Sequence, residues 1–192
     1  NVCQKRFLKN TDRSNSLWMT PIEGSKALFV TEDPLDAIAH SQLFPGARYA
    51  YLCTGGTSTK AQREMIHSFS QKFKLPIILG NDNDLAGQLE NFKLAYHTAN
   101  IEYAINSKTQ RVLLTVNGAE REWGKDEIVA ALQAVMKQRP NMILSIPWAK
   151  DWNDDLRSSK KSISLRIAEN MARVQIETTK SEQRGMIAGK LP

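Results

Sequence analysis

Apolar residues along the chain fall into short runs that alternate with longer amphipathic stretches. "ALFVTE" (27–32) has the length and composition of a buried strand. In "DPLDAIAHSQLF", which follows, Asp33 suits a helix cap, Pro34 the first helical position and Asp36 the first turn. Leu35, Ile38 and Leu43 keep helical spacing. "YAYLCT" (49–54) predicts a second strand, and "GGTST" turns it into a helix capped by Ser58 or Thr59. Over "KAQREMIHSFSQKF", Ala61, Met65, Phe69 and Phe73 form a helical stripe that Pro76 stops. "PIILGND" predicts a third strand. "LAGQLENFKLAYHTA" predicts a third helix with Leu85, Leu89, Phe92, Tyr96 and Ala99 on one face. This alternation of strand and helix is the signature of a parallel sheet covered by helices.

The pattern breaks after residue 100. "QRVLLTVNGAEREW" (110–123) places Asn117-Gly118 between two strand-like runs, a strong hairpin signal. "GKDEIVAALQAVMKQRP" reads as a helix and "NMILSIP" (141–147) as a fourth strand of the sheet. Residues 101–140 are therefore an expected insertion, read as a surface decoration in preference to a partner-binding element. Residues 162–177, with Ile163, Ile167, Met171 and Val174 in helical register, predict a basic amphipathic helix. Residues 178–192 are polar and expected to be loose. The expected organisation is a basic extension over 1–26, an α/β domain over 27–157 carrying the insertion, and a basic helix and tail over 158–192.

Charge sharpens this division. The 192 residues carry a net charge of +6, but unevenly. Residues 1–26 hold five basic and two acidic groups, residues 157–192 eight and three, and the middle thirteen and fifteen. Basic flanks around an acidic centre suit a polyanion held beside a metal, and two solvated tails fit the composition equally well. No apolar run approaches the roughly 20 residues of a membrane span. The polar start "NVCQKRFLKN" does not read as a signal peptide, and a first residue Asn1 fits a domain of a longer protein. Two cysteines, Cys3 and Cys53, give no disulfide framework, which fits a reducing cytosol. Cys53 lies in an apolar run and reads as core. His40, His67 and His97 each stand alone in sequence, which argues against zinc.

The chemistry concentrates in the acids at the strand ends. Glu32 ends the first predicted strand, Asp82 and Asp84 the third, and Asp151, Asp154 and Asp155 follow the fourth. Ligands of an open parallel sheet bind at the carboxyl ends of its strands, so these acids are expected to meet on one edge. Neighbouring carboxylates repel by about 1–4 kcal/mol at intermediate dielectric, and hard oxygen ligands with open positions suit Mg²⁺ or Mn²⁺. Other readings fit less well. "DNDLAGQLENFK" places Asp82, Asp84 and Gly87 as a calcium loop would, but Ala86 and Lys93 stand where ligands belong. "GGTSTK" lacks the glycine frame of a phosphate-binding P-loop. Helix capping by Asn83 or Asp84 alone leaves Asp82, Glu32 and Asp151 without a reason. Glu32, crowded by Asp82 and Asp84, is expected to have a raised pKa and to serve as general acid or base in phosphoryl transfer.

Taken together, "EDPLD", Gly55-Gly56, "DNDLAG" and "AKDWNDDL" resemble the toprim domain, over residues 27–100 and 141–157. The resemblance is nearest to the primase-like (DnaG-type) group, and "KDWND" is similar to toprim proteins of plasmids and conjugative transposons, often fused to relaxase or primase modules. It implies a Rossmann-like α/β fold of about four parallel strands. It implies Mg²⁺ (or Mn²⁺) held by Asp82 and Asp84, with Asp36 as accessory acid and Asp151 as a further ligand, and Glu32 as the catalytic acid/base. The Gly55-Gly56 turn, with Lys60 and Lys150, is assigned to nucleic acid; either lysine could equally be solvated. Two positions depart from the pattern: Asp33 replaces a glycine, and Asn153 replaces the second acid of the last stretch, which weakens a second metal site. The implied function is primase-like nucleotidyl transfer on single-stranded DNA, using nucleotides, within a larger replication or mobilisation protein. A strand-cleaving nuclease and a non-catalytic module gripping DNA or partner proteins are the alternatives. None of Tyr49, Tyr51, Tyr96 and Tyr103 reads as a nucleophile. Trp148 and Trp152 flank the last acidic stretch and read as base-stacking or core residues.

Overall fold

The computed structural model describes residues 12–159. The helix expected over 162–177 and the loose tail lie outside these residues, as does Cys3. Four strands form the predicted parallel core: β2 (Ala27–Thr31), β3 (Tyr49–Cys53), β4 (Ile77–Leu79) and β8 (Met142–Leu144). A two-residue strand, β1 (Trp18–Met19), adds an antiparallel edge, and the order is β1-β3-β2-β4-β8. The remaining strands, β5 (Ile101–Asn106), β6 (Arg111–Val116) and β7 (Ala119–Trp123), make a separate antiparallel sheet. The helices are α1 (Pro34–Leu43), α2 (Lys60–Phe73), α3 (Leu85–Ala95), α4 (Lys125–Met136) and α5 (Trp152–Ser159).

Every residue of β2 is buried, as expected of a strand covered on both faces. Alternation sends Leu28 and Val30 to one face and Ala27 and Phe29 to the other. The first face packs with Ile66 of α2, Leu89 and Phe92 of α3, and Ile128 and Leu132 of α4. The second packs with Ala37 and Ala39 of α1 and Trp152 of α5. The chain therefore leaves β2 and β8 toward one face and β3 and β4 toward the other. Adjacent strands whose helices part in this way open a crevice at their carboxyl ends. Asp33 caps α1 through the Leu35 amide (2.8 Å), and Thr59 caps α2 in a reciprocal box with Gln62.

Three sequence expectations need correction. The most buried line of α2 is Gln62, Ile66 and Ser70, one position on from the predicted Ala61–Met65 stripe. The polar members of that line bury because they hydrogen-bond backbone carbonyls: Ser70 to Leu75 (2.6 Å), and Gln62 to Arg13, Ser16 and Thr54. The helix α3 is buried nearly all round and not on one face. Its second side is covered by the insertion, which is no surface decoration: Val112 and Leu114 of β6 and Ile128 and Leu132 of α4 sit in the main hydrophobic cluster. The hairpin itself is as predicted, with Asn117 (φ 51°) and Gly118 (φ 85°) forming the turn between β6 and β7. β5, β1 and α5 were not foreseen. His67 and His97, apart in sequence, stack ring on ring at 3.4 Å. Among the described residues no helix is long and apolar enough to cross a membrane.

Candidate metal centre at the carboxyl edge of the sheet

Glu32 follows β2 directly, and its carbonyl accepts the amides of Gly55 (2.8 Å) and Gly56 (3.3 Å). The Gly-Gly turn thus ties the end of β3 to the end of β2. Both amides are engaged there, and the turn shapes the edge beside Glu32.

After β4 the chain enters Asn81-Asp82-Asn83-Asp84. Asn81, before α3, and Gln88 and Asn91, within it, are buried here. The Asn81 side-chain amide donates to Asn91 Oδ1 (2.9 Å), Asn91 donates to Gln88 Oε1 (3.3 Å), and Gln88 donates to the Asp82 carbonyl (2.8 Å). A buried amide chain of this kind must be fully paired to be tolerated, and here it fixes the Asp82 backbone. Gly87 closes the turn: a Cβ there would lie 2.3 Å from the Asp82 carbonyl oxygen and 2.7 Å from its nitrogen. Gly87→Ala is therefore expected to cost about 1–3 kcal/mol of stability in a denaturant titration and to displace Asp82. Asp84 caps α3 through the Gly87 amide (2.9 Å) and keeps its other oxygen 3.8 Å from Lys150 Nζ.

The loop after β8 is clamped by Asp155, whose two oxygens each accept a backbone amide, from Trp148 and Ala149 (2.8 Å each). Asp151 caps α5, accepting the Asp154 amide at 2.7 Å. The Asn83 amide donates to the Lys150 carbonyl (2.7 Å), which joins this loop to the Asp82 loop. Asp36, buried in the first turn of α1, accepts a hydrogen bond from Asn153 Nδ2 (2.8 Å). The amide at 153 thus supplies a donor where an acid would add a repelling charge.

These acids converge. Burial, then the charges of Asp36, Glu32, Asp84 and Asp151, push the Asp82 carboxyl up to about 7. Burial, then Asp151 and Asp33, push Asp36 up to about 6. Among the described residues no three His, Cys, Asp or Glu side chains close into a ready-made ligand set. The donor chemistry nonetheless fits Mg²⁺ or Mn²⁺. It consists of oxygens only, on a partly exposed edge, and Mg²⁺ retains several waters and takes one or two carboxylates.

Residues 29–111 match a family model described as Toprim-like. The match supports a toprim domain, and with it a metal-dependent function related to nucleic acid. No curated protein and no solved structure matches the chain. The matched segment holds Glu32, Asp36, Gly55, Gly56, Asp82 and Asp84 and ends at the start of β6. The parallel sheet flanked by helices is consistent with the Rossmann-like toprim fold.

The other expected residues fall differently. Lys60 is exposed on α2 and pairs with Glu64 (3.8 Å). Trp152 is 2% exposed and donates its indole N–H to the Gly80 carbonyl (2.7 Å), which makes it a core residue, whereas Trp148 is 52% exposed. Cys53 is core, hydrogen-bonded to Thr31, with burial pushing its thiol up to about 12. Burial likewise raises the Tyr49 and Tyr51 hydroxyls. One cation was missed: Lys125, at the start of α4, lies 3.3 Å from Asn83 Oδ1 and 3.4 Å from its carbonyl. Its position in the insertion hid it, and the "GK" opening a helix was the available signal.

Proposed function

We propose that this chain transfers phosphoryl groups on nucleic acid with Mg²⁺ or Mn²⁺, as a primase-like nucleotidyl transferase on single-stranded DNA within a larger replication or mobilisation protein. The observation that carries the reading is the convergence of Asp36, Glu32, Asp84 and Asp151 on Asp82 at one sheet edge. Asp82 and Asp84 would hold the ion, with Asp36 and Asp151 beside them. When bound, the ion supplies charge neutralisation at the phosphate and its leaving oxygen. Glu32 moves the proton on or off the reacting oxygen. Lys150 beside Asp84 and Lys125 beside Asn83 are placed to attract the polyanion.

A second reading, a module that grips nucleic acid without chemistry, draws support from Asp84 and Asp151 each spending one oxygen on a helix cap. One experiment separates the two. The full chain is incubated with end-labelled single-stranded DNA, nucleotides and Mg²⁺ or Mn²⁺, and products are resolved on a denaturing gel beside Glu32→Gln. The expected result is extended products that Glu32→Gln reduces at least a hundredfold while DNA binding is retained. Shortened products lost in the same variant would replace polymerisation with cleavage. The absence of any metal-dependent product, with DNA binding intact, would favour the gripping module.

A further inference from the structure

The stretch between β8 and α5 and the first residue of α5 carry two tryptophans with opposite fates. Trp152 is buried with its indole N–H on the Gly80 carbonyl. Trp148 is exposed and belongs to neither hydrophobic cluster, and among the described residues its indole meets no ring and no hydrogen-bond partner. A loose backbone is not the reason, because the chain is tied at four successive residues. The Pro147 carbonyl accepts Asn83 Nδ2 (3.1 Å), and the Lys150 carbonyl accepts the Asn83 amide (2.7 Å). The Trp148 and Ala149 amides between them donate to the two oxygens of Asp155 (2.8 Å each). Asp155 is itself buried, and a buried carboxylate is tolerated only when it is paired in this way. The fold thus holds on a rigid anchor a ring that gains nothing from burial.

That anchor is shared with the acid edge. Asn83 stands between Asp82 and Asp84. Its backbone and side-chain amides hold the Trp148 loop, while its Oδ1 and carbonyl take Lys125 Nζ (3.3 and 3.4 Å). Two residues past the indole, Lys150 Nζ lies 3.8 Å from Asp84 Oδ2. A free aromatic face on a backbone that also carries amines is the arrangement that takes a single strand, because bases stack on the ring and the amines attract the phosphates. Within residues 145–151 Trp148 is the one exposed large apolar side chain, followed by Lys150 and Asp151. The segment therefore offers one ring-sized surface and not the contiguous apolar patch that marks a protein-docking site.

We propose that Trp148 is the base-stacking residue of this edge: its indole takes one nucleobase of a single strand and so registers that strand beside the Asp82 loop. This role rests on the nucleic-acid reading above. Binding of a fluorescein-labelled oligothymidylate to the full chain, followed by anisotropy with Mg²⁺ present over a series of salt concentrations, tests it. A strand of the same length and charge with abasic sites in place of the bases is run beside it. Wild type is compared with Trp148→Ala, Trp148→Phe and, as another exposed apolar side chain, Leu113→Ala of β6. Trp148→Ala is expected to weaken oligothymidylate binding about tenfold to a hundredfold with the salt slope unchanged, and to bind the abasic strand as wild type does. Trp148→Phe is expected to recover most of the affinity, and Leu113→Ala to leave it unchanged. If Trp148→Ala binds oligothymidylate like wild type, loses the same factor on the abasic strand, or is not rescued by phenylalanine, stacking by Trp148 is overturned while the nucleic-acid reading stands. If wild type binds neither strand, the nucleic-acid reading falls and the role of Trp148 falls with it.

Discussion

Asp82→Asn is expected to remove the stabilisation by Mg²⁺ or Mn²⁺ and, at the same time, to make the metal-free protein more stable at pH 8. The sign follows from the environment of the carboxyl. Burial and the neighbouring acids push it up from the ordinary 3.8 to about 7, so between roughly pH 4 and 7 the folded state binds more protons than the unfolded state. Stability from this group is present below pH 4 and is lost as pH rises through 7. Asp82 is partly exposed, so solvent screening holds the effect to about 1–2 kcal/mol. An asparagine keeps the shape and carries no charge. Thermal melts of both proteins at pH 5 and pH 8, with and without metal, check this. Wild type should lose stability from pH 5 to pH 8 and regain it with metal; Asp82→Asn should keep only the smaller loss that Asp36 causes and regain none. A metal-induced rise in Tm that survives the substitution would place the ion elsewhere.

The second large effect concerns the insertion. Ile128 and Leu132 of α4 are fully buried in the main cluster. Ile128→Ala and Leu132→Ala should each cost about 2–5 kcal/mol, a large part of the 5–15 kcal/mol that stabilises a domain of this size. A surface decoration would tolerate both within about 0.5 kcal/mol. Urea titrations at constant m-value decide between the two. Loss of α4 should also reach the Asp82 loop, because Lys125 is bonded to Asn83.

The parallel sheet was legible because its strands are contiguous apolar runs, the first three each followed by a cap and a helix with apolar spacing. The acids were legible because they follow those runs directly, and the topology then carries them to one edge. Less was legible where polar residues are buried. Gln62, Ser70, Gln88 and Asn91 add nothing to an apolar stripe, and hydrogen bonds to backbone and to one another bury them. This shifted the stripe of α2 and left α3 one-sided. The two-residue β1 is too short for any period to register. Asp151, read as a ligand, also caps α5, a helix whose polar sequence gave no apolar stripe. Lys125 is a single cation far from the acids in sequence, and only the folded chain brings it near Asn83.

If the acids at the sheet edge form one metal centre, its ligands must shed protons to bind. Calorimetric titration of Mn²⁺ into the full chain at pH 6, in buffers of different ionisation enthalpy, tests it most directly. Metal binding to raised carboxyls releases protons, and with Asp82 near 7 and Asp36 near 6 about one or two should appear per ion. Release should vanish at pH 8.5, and binding should be lost in Asp82→Asn. Mn²⁺ binding with no proton release at pH 6, or binding unchanged in Asp82→Asn, would contradict the account.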